Sequence, residues 1–251
     1  MDHAPATRVA LLDGFVLERP GAGAGAAVPD LPRGAQRLIA HLSLCGRPGR
    51  CLIAGQLWPD VPEQHAHGSL RSALWRVQKA APGLVEVSGG ALALADDVRV
   101  DVRELIDWAR DVLDPHGGTY GQVVPDVALR GVLLPGWCDD WVLLARERLR
   151  QLRMHALEAL ADQLAERGRF GEALHAGHAA VASEPRRESA HRAVVRVHLA
   201  EGNTAEAVRT YEAFRDLLAD VLGVAPSLLM EELIASARRG PHRARVAGVG
   251  R

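Results

Sequence analysis

Lysine is nearly missing from this chain: of 30 basic residues only Lys79 is a lysine, and the rest are arginine. With abundant alanine, that usage points to a GC-rich coding sequence and says nothing about function. Cysteine is scarce. Cys45, Cys51 and Cys138 are odd in number and unclustered, which excludes a disulfide framework and fits a reducing cytosol. Aromatic residues make up 4%. No run of about 18 apolar residues occurs, so no membrane span is expected. The opening MDHAPATRVALLDGF lacks a basic region followed by a long apolar core, so no secretory signal is expected and the location read from it is cytoplasmic. An excess of positive charge is also lacking: 30 basic against 31 acidic residues give a net charge of −1, whereas nucleic-acid binders are often strongly basic. No GxxxxGK[ST], GxSxG, HExxH or GxGxxG segment is present. No cofactor and no enzymatic activity are therefore expected.

What remains is ordinary globular composition, 48% apolar and 24% charged over 251 residues, enough for one large or two ordinary domains. The first hundred residues are mixed. Val9–Leu12 and Phe15–Leu17 flank Asp13-Gly14 and read as strand, turn, strand. Gly21–Ala27 is a low-complexity loop with nothing to pack. Pro32 suits the start of a helix that Gly46 and Pro48 stop. A short apolar segment, Leu52–Trp58, ends at Pro59, and another helix runs from about Gln64 to Ala81 before Pro82-Gly83. Leu84–Val87, Gly89-Gly90 and Ala91–Leu94 read as a hairpin with a type I′ turn.

Residues 101–238 read as almost wholly helical. Asp101 is placed to cap a helix ending at Leu113. Asp114-Pro115-His116-Gly117-Gly118 breaks the pattern, and a helix of about 28 residues starts near Asp139 and stops at Gly168. Further helices are expected over 169–182, 186–201, 204–222 and 226–238, and a disordered tail is expected beyond. Two of these segments repeat: Gly168 and Gly202 lie 34 residues apart, as do Ala173 and Ala207. That is the tetratricopeptide period, in which glycine ends the first helix of a pair and a small alanine lets the second pack closely. Two units cannot form a solenoid alone, so flanking helices must complete the stack.

Within the helix 64–81, Leu70, Leu74, Val77 and Ala81 fall on one stripe at about 100° per residue. The opposite face carries Ser72, Trp75, Arg76 and Lys79, with Arg71 at its edge, and no carboxylate lies between Glu63 and Glu86. Such a face is either a solvated surface or a reader of a major groove, where arginine binds guanine in bidentate fashion and serine and lysine reach phosphate. A hairpin directly after it is the arrangement of a winged helix. Gly89 and Gly90 at its tip permit close approach to phosphate, and Arg47 and Arg50 before the short helix are placed to do the same.

Three groups of residues make the resemblance specific: Leu57-Trp58-Pro59-Asp60, Ala66–Val77 and Val98-Arg99-Val100-Asp101-Val102. They resemble the Streptomyces antibiotic regulatory protein (SARP) family. Trp141–Arg150, Glu188-Ser189-Ala190-His191, His198–Asn203 and Leu222–Ser227 resemble the bacterial transcriptional activator domain that follows in that family. The likeness is colinear over residues 8–236. It implies a mainly α protein: an N-terminal winged helix-turn-helix (α+β) over 1–98, an all-α tetratricopeptide-like domain over 99–238, and a tail over 239–251. It implies binding of double-stranded DNA at promoter direct repeats, with a homodimer possible on tandem sites, and recruitment of RNA polymerase. The polymerase contact maps onto Pro59, Asp60 and Glu63. Two departures stand out. The turn Gly46–Cys51 is about one residue short, and Trp75 replaces a small polar residue. The DNA-binding half is also near neutral, with 11 Arg/Lys against 12 Asp/Glu through residue 108. That neutrality keeps open an alternative, a protein adaptor whose winged helix serves protein contacts.

Other features carry less. His65 with His67, and His175 with His178, lack further ligands in sequence, so no metal site is expected. Asp139-Asp140 reads as a helix cap, Cys51 as a buried thiol, and Trp137 with Trp141 as helix packing.

Overall fold

A computed structural model describes residues 7–19, 31–114 and 123–239. The loop at 21–27, the breaker residues 115–118 and the tail 240–251 lie outside the described residues. Two compact units emerge, one from residues up to Asp111 together with Pro125–Arg153, the other from Val112–Val124 and Met154 onward. Among the described residues no helix is long and apolar enough to cross a membrane.

In the first unit, β1 (Arg8–Ala10) and β2 (Val16–Glu18) pair antiparallel. Between them Asp13 and Gly14 both take positive φ, 66° and 140°, which turns the chain as expected. The sequence shows no clear sign of β5 (Arg99–Val100), which lies parallel to β1 and gives the order β2-β1-β5. Helix α1 (Arg33–Cys45) starts after Pro32 and stops at Gly46. Helix α2 (Arg50–Leu57) and helix α3 (Glu63–Ala80) follow, α3 starting directly after Pro62. Their core is apolar and closed: Leu38, Ile39, Ile53, Leu57 and Leu70 are each at most 1% exposed.

The hairpin β3 (Val85–Ser88) and β4 (Ala91–Leu94) pairs Val85 with Leu94 and Ser88 with Ala91. Gly89 and Gly90 have φ of 57° and 82°, as a type I′ turn requires at both central positions. Leu92, Ala93 and Leu94 of β4 are buried while β3 is half-buried at Val85 and exposed beyond it, so the hairpin is anchored through one strand.

Helix α4 (Asp101–Leu113) begins at Asp101. Its side chain does more than cap locally, because it accepts the backbone N–H groups of Leu11, Leu12 and Val102. From α4, Arg103 donates to the carbonyls of Leu42 and Ser43, satisfying groups that the end of α1 leaves open. A short helix α5 (Asp126–Leu129), not foreseen, precedes the long helix α6 (Asp140–Glu166). Arg146 of α6 donates to the carbonyls of Leu133, Leu134 and Trp137 and so fixes the segment leading into its own helix.

In the second unit, the later part of α6 is followed by α7 (Phe170–Ser183), α8 (Glu188–Glu201), α9 (Thr204–Leu222) and α10 (Leu228–Arg239). The 34-residue offset has a structural counterpart. Gly168 and Gly202 both take positive φ, 73° and 85°. Each is followed by the same closing bond, Arg169 N–H to Leu164 carbonyl at 2.9 Å and Asn203 N–H to His198 carbonyl at 2.8 Å. Ala173 and Ala207 are both fully buried. Phe214, Met230, Ile234 and Val195 close the far end of the stack.

Candidate nucleic-acid interface

Helix α3 turns its apolar stripe inward and leaves the opposite face uncovered. Ala66, Leu70, Ala73 and Val77 are buried, with Ala81 just past the helix end. Leu74, expected in that stripe, is only half-buried, and the smaller Ala73 takes the inner seat. Spacing of four, three and four residues serves a helix as well as the expected one, and packing against α1 and α2 selects between them.

On the outer face Arg71, Ser72, Trp75, Arg76 and Lys79 are all exposed. Trp75 is 62% exposed, unusual for so large an apolar ring. Lys79 lies over it one turn on, its Nζ 5.2 Å from the ring centroid, a cation–π contact that orders both side chains. A shallow groove of about 730 Å³ between the start of α1 and α3 is lined by Arg71, Ser72 and Arg76 together with Trp58 and His65.

The turn before α2 and the hairpin are joined through their backbones. Leu92 N–H donates to the Pro48 carbonyl at 3.1 Å, and Gly49 bridges Ala91. Arg47 and Arg50 therefore belong to one surface with the wing. Arg47 is exposed and approaches Asp96 at 3.5 Å, an exposed pair worth little; Arg50 is half-buried. Gly89 and Gly90 are exposed at the tip, as are Pro59, Asp60 and Glu63 in and after the α2–α3 loop.

Three sequence readings are refined by the structure. Cys51 is exposed rather than buried, because it sits on the outward side of the first turn of α2. Trp137 precedes α6 rather than sharing it with Trp141, but the two rings do pack, edge to face at 6.5 Å. Trp141 meets His41 of α1, and Trp137 lies under the Arg33 guanidinium, 3.6 Å from the ring centroid, and against Phe15. Asp139 spends its carboxylate on Arg37 of α1, while its backbone carbonyl accepts from Val142 and Leu143 at the start of α6. Sequence inspection also missed that His67 meets Cys51 and Glu63 in space. The i, i+4 spacing of Glu63 and His67 was visible, but the approach of Cys51 from another helix was not.

Residues 121–238 match the family model described as bacterial transcriptional activator domain. Over 210 residues, 78% of this chain, the sequence is 31% identical to Regulatory protein AfsR of Streptomyces coelicolor. The chain spans about a fifth of that relative's length, 21%. In fold it resembles EmbR of Mycobacterium tuberculosis, solved in complex with a low affinity phosphopeptide. The TM-score is 0.66 at 17% identity, covering 93% of this chain and 65% of that one. At that identity the likeness bears on the fold alone. Residues 121–238 thus match the bacterial transcriptional activator domain, and the longer sequence likeness to AfsR makes the chain similar to the SARP-type regulators.

Proposed function

We propose that the chain is a sequence-specific DNA-binding activator of transcription that works without catalysis. One observation carries this reading: the outer face of α3 presents Arg71, Ser72, Trp75, Arg76 and Lys79 uncovered, on a helix without a carboxylate after Glu63. In this reading α3 enters a major groove. Arg71 and Arg76 reach base edges or phosphate, Ser72 and Lys79 bind phosphate, and Trp75 packs on sugar or a neighbouring protomer. Arg47, Arg50 and the tip glycines Gly89 and Gly90 meet the flanking backbone. Residues 1–98 carry the DNA contacts, and 99–238 hold protomers side by side on promoter direct repeats in the cytoplasm. Pro59, Asp60 and Glu63 are offered to RNA polymerase.

A mobility-shift titration on the promoter region of its own gene tests the reading. Arg76→Ala should weaken binding by about 1–3 kcal/mol if the side chain reads a base. Unchanged affinity removes Arg76 from that role. The near-neutral first half supports a second reading, a protein adaptor. Retention of a protein partner with no salt-sensitive DNA binding would favour it.

A further inference from the structure

Cys51, Glu63 and His67 each offer one ligand atom, and these atoms lie within 4.8 Å of one another. Cys51 is the second residue of α2, Glu63 opens α3, and His67 stands one turn further on the same face of α3. His67 Nε2 is 3.6 Å from Glu63 Oε1. Among the described residues no other set of His, Cys, Asp or Glu side chains converges in this way. We propose that this triad is a binding site for a zinc-class divalent cation, clamping the start of α2 to the start of α3.

The donor set selects the ion. A thiolate and an imidazole suit zinc or cobalt, whereas magnesium and calcium require oxygen ligands throughout. Around a tetrahedral zinc, with bonds of about 2.0–2.3 Å, ligand atoms stand roughly 3.3–3.8 Å apart. The His67–Glu63 separation already lies in that range. Cys51 and Glu63 are exposed, so their side chains can close the remaining distance by rotation without disturbing the core. Three protein ligands leave a fourth position to water.

A surface Glu–His pair explains two of the three groups and leaves the exposed thiol beside them without a role. All three cysteines are exposed, so exposure alone marks none of them; Cys51 differs from Cys45 and Cys138 in standing beside two further donor groups.

The site lies against the surface described above. Cys51 follows directly on the Arg47–Arg50 turn, which is bonded to the wing, and His67 is one turn before Arg71. Binding displaces the Cys51 thiol proton to solvent. One divalent charge enters and one thiolate forms, so the local charge rises by about one unit, which favours phosphate nearby. The coupling to DNA rests on the proposed function. The metal site does not.

Titrating the reduced full chain with cobalt(II) tests the site without DNA. The expected result is a thiolate-to-cobalt charge-transfer band with intense tetrahedral d–d absorption at one equivalent, displaced by zinc. Cys51→Ser should abolish the charge-transfer band, Cys45→Ser and Cys138→Ser should keep it, and His67→Gln or Glu63→Gln should weaken affinity about tenfold or more. Absence of the band, or its persistence in Cys51→Ser, overturns the proposal. Mobility shifts with and without one equivalent of zinc then test the coupling. A several-fold tighter complex for the wild type, and no change for Cys51→Ser, supports it. A cobalt band with DNA affinity indifferent to zinc overturns the coupling and leaves the site. A cobalt band with no DNA binding at all counts against the proposed function instead.

Discussion

The carboxylate of Asp101 accepts the backbone N–H of Leu11 through both oxygens, each at 3.0 Å, across 90 residues of chain. Leu12 N–H adds a third long-range bond at 3.0 Å. One fully buried side chain at the start of α4 thus holds the end of β1, beside the parallel strand that leads into α4. Burial pushes its carboxyl up from the usual aspartate range. The N–H groups of Leu12, Leu11 and Val102, and the Arg130 guanidinium, pull it back.

Asp101→Ala should therefore destabilise the protein by about 2–4 kcal/mol, because it strands buried N–H donors that had a charged acceptor. Asp101→Asn should also destabilise, since its amide turns one donor toward other donors. Urea unfolding followed by circular dichroism measures both. A loss below about 0.5 kcal/mol in Asp101→Ala would show that the carboxylate is replaceable by water.

Gly177 packs directly on α8. A Cβ built there would stand 2.9 Å from Val194 Cγ2, closer than van der Waals contact. Valine has one strongly preferred rotamer in a helix and cannot swing aside. Gly177→Ala is expected to cost about 1–3 kcal/mol by overpacking, despite alanine's better helix propensity. Combining it with Val194→Ala should give less than the sum of the two single losses. Strict additivity would mean that the two sites do not touch.

Acid should weaken the second unit. Burial lowers the affinity of His178 for a proton, helped by His198 and His175. Burial also lowers that of His191, whose Nε2–H donates to the Pro185 carbonyl and whose ring stacks on Phe214 at 4.2 Å. Their values fall below the ordinary 6.5, so under about pH 6.5 the unfolded chain binds protons that the folded chain refuses. Stability is full above that pH and declines as pH falls toward the lowered folded values. Denaturant midpoints at pH 7.5 and 5.5 measure this, and His178→Gln should reduce the difference between them. An equal difference in wild type and variant would mean that His178 titrates freely.

On the α3 face, salt dependence separates the roles of the cations. Removing a phosphate contact, as expected for Lys79→Ala, should lower affinity for all sequences alike and reduce the salt slope by about one. Removing a base contact, as expected for Arg76→Ala, should leave non-specific binding nearly intact and relax the preference at one position. Identical behaviour of both variants on operator and random DNA would assign the two residues the same role.

Much of the architecture is local, and local features are readable from residue order. Pro32 and Gly46 bound α1, Pro62 and the Pro82-Gly83 pair bound α3, and the Gly89-Gly90 turn has the φ values its residues suggest. Proline and glycine act on their own backbone and need no distant partner. The 34-residue repeat belongs to the same class, since Gly168 and Gly202 end their helices by the same short-range bond.

Apart from the short local helix α5, the features that escaped reading depend on partners far away in the chain. β5 is two residues long and becomes a strand because β1 lies beside it. Ala73 rather than Leu74 turns inward because α1 and α2 set the angle of α3, and helical periodicity tolerates either. Cys51 is exposed beside Glu63 and His67 because two helices start side by side. Composition and spacing were enough to place a basic, acid-free face on α3. That the face stays open to solvent, and that a thiol stands beside a histidine and a glutamate at its edge, follows from close packing in three dimensions, where the fit of neighbouring helices settles which side chains are covered.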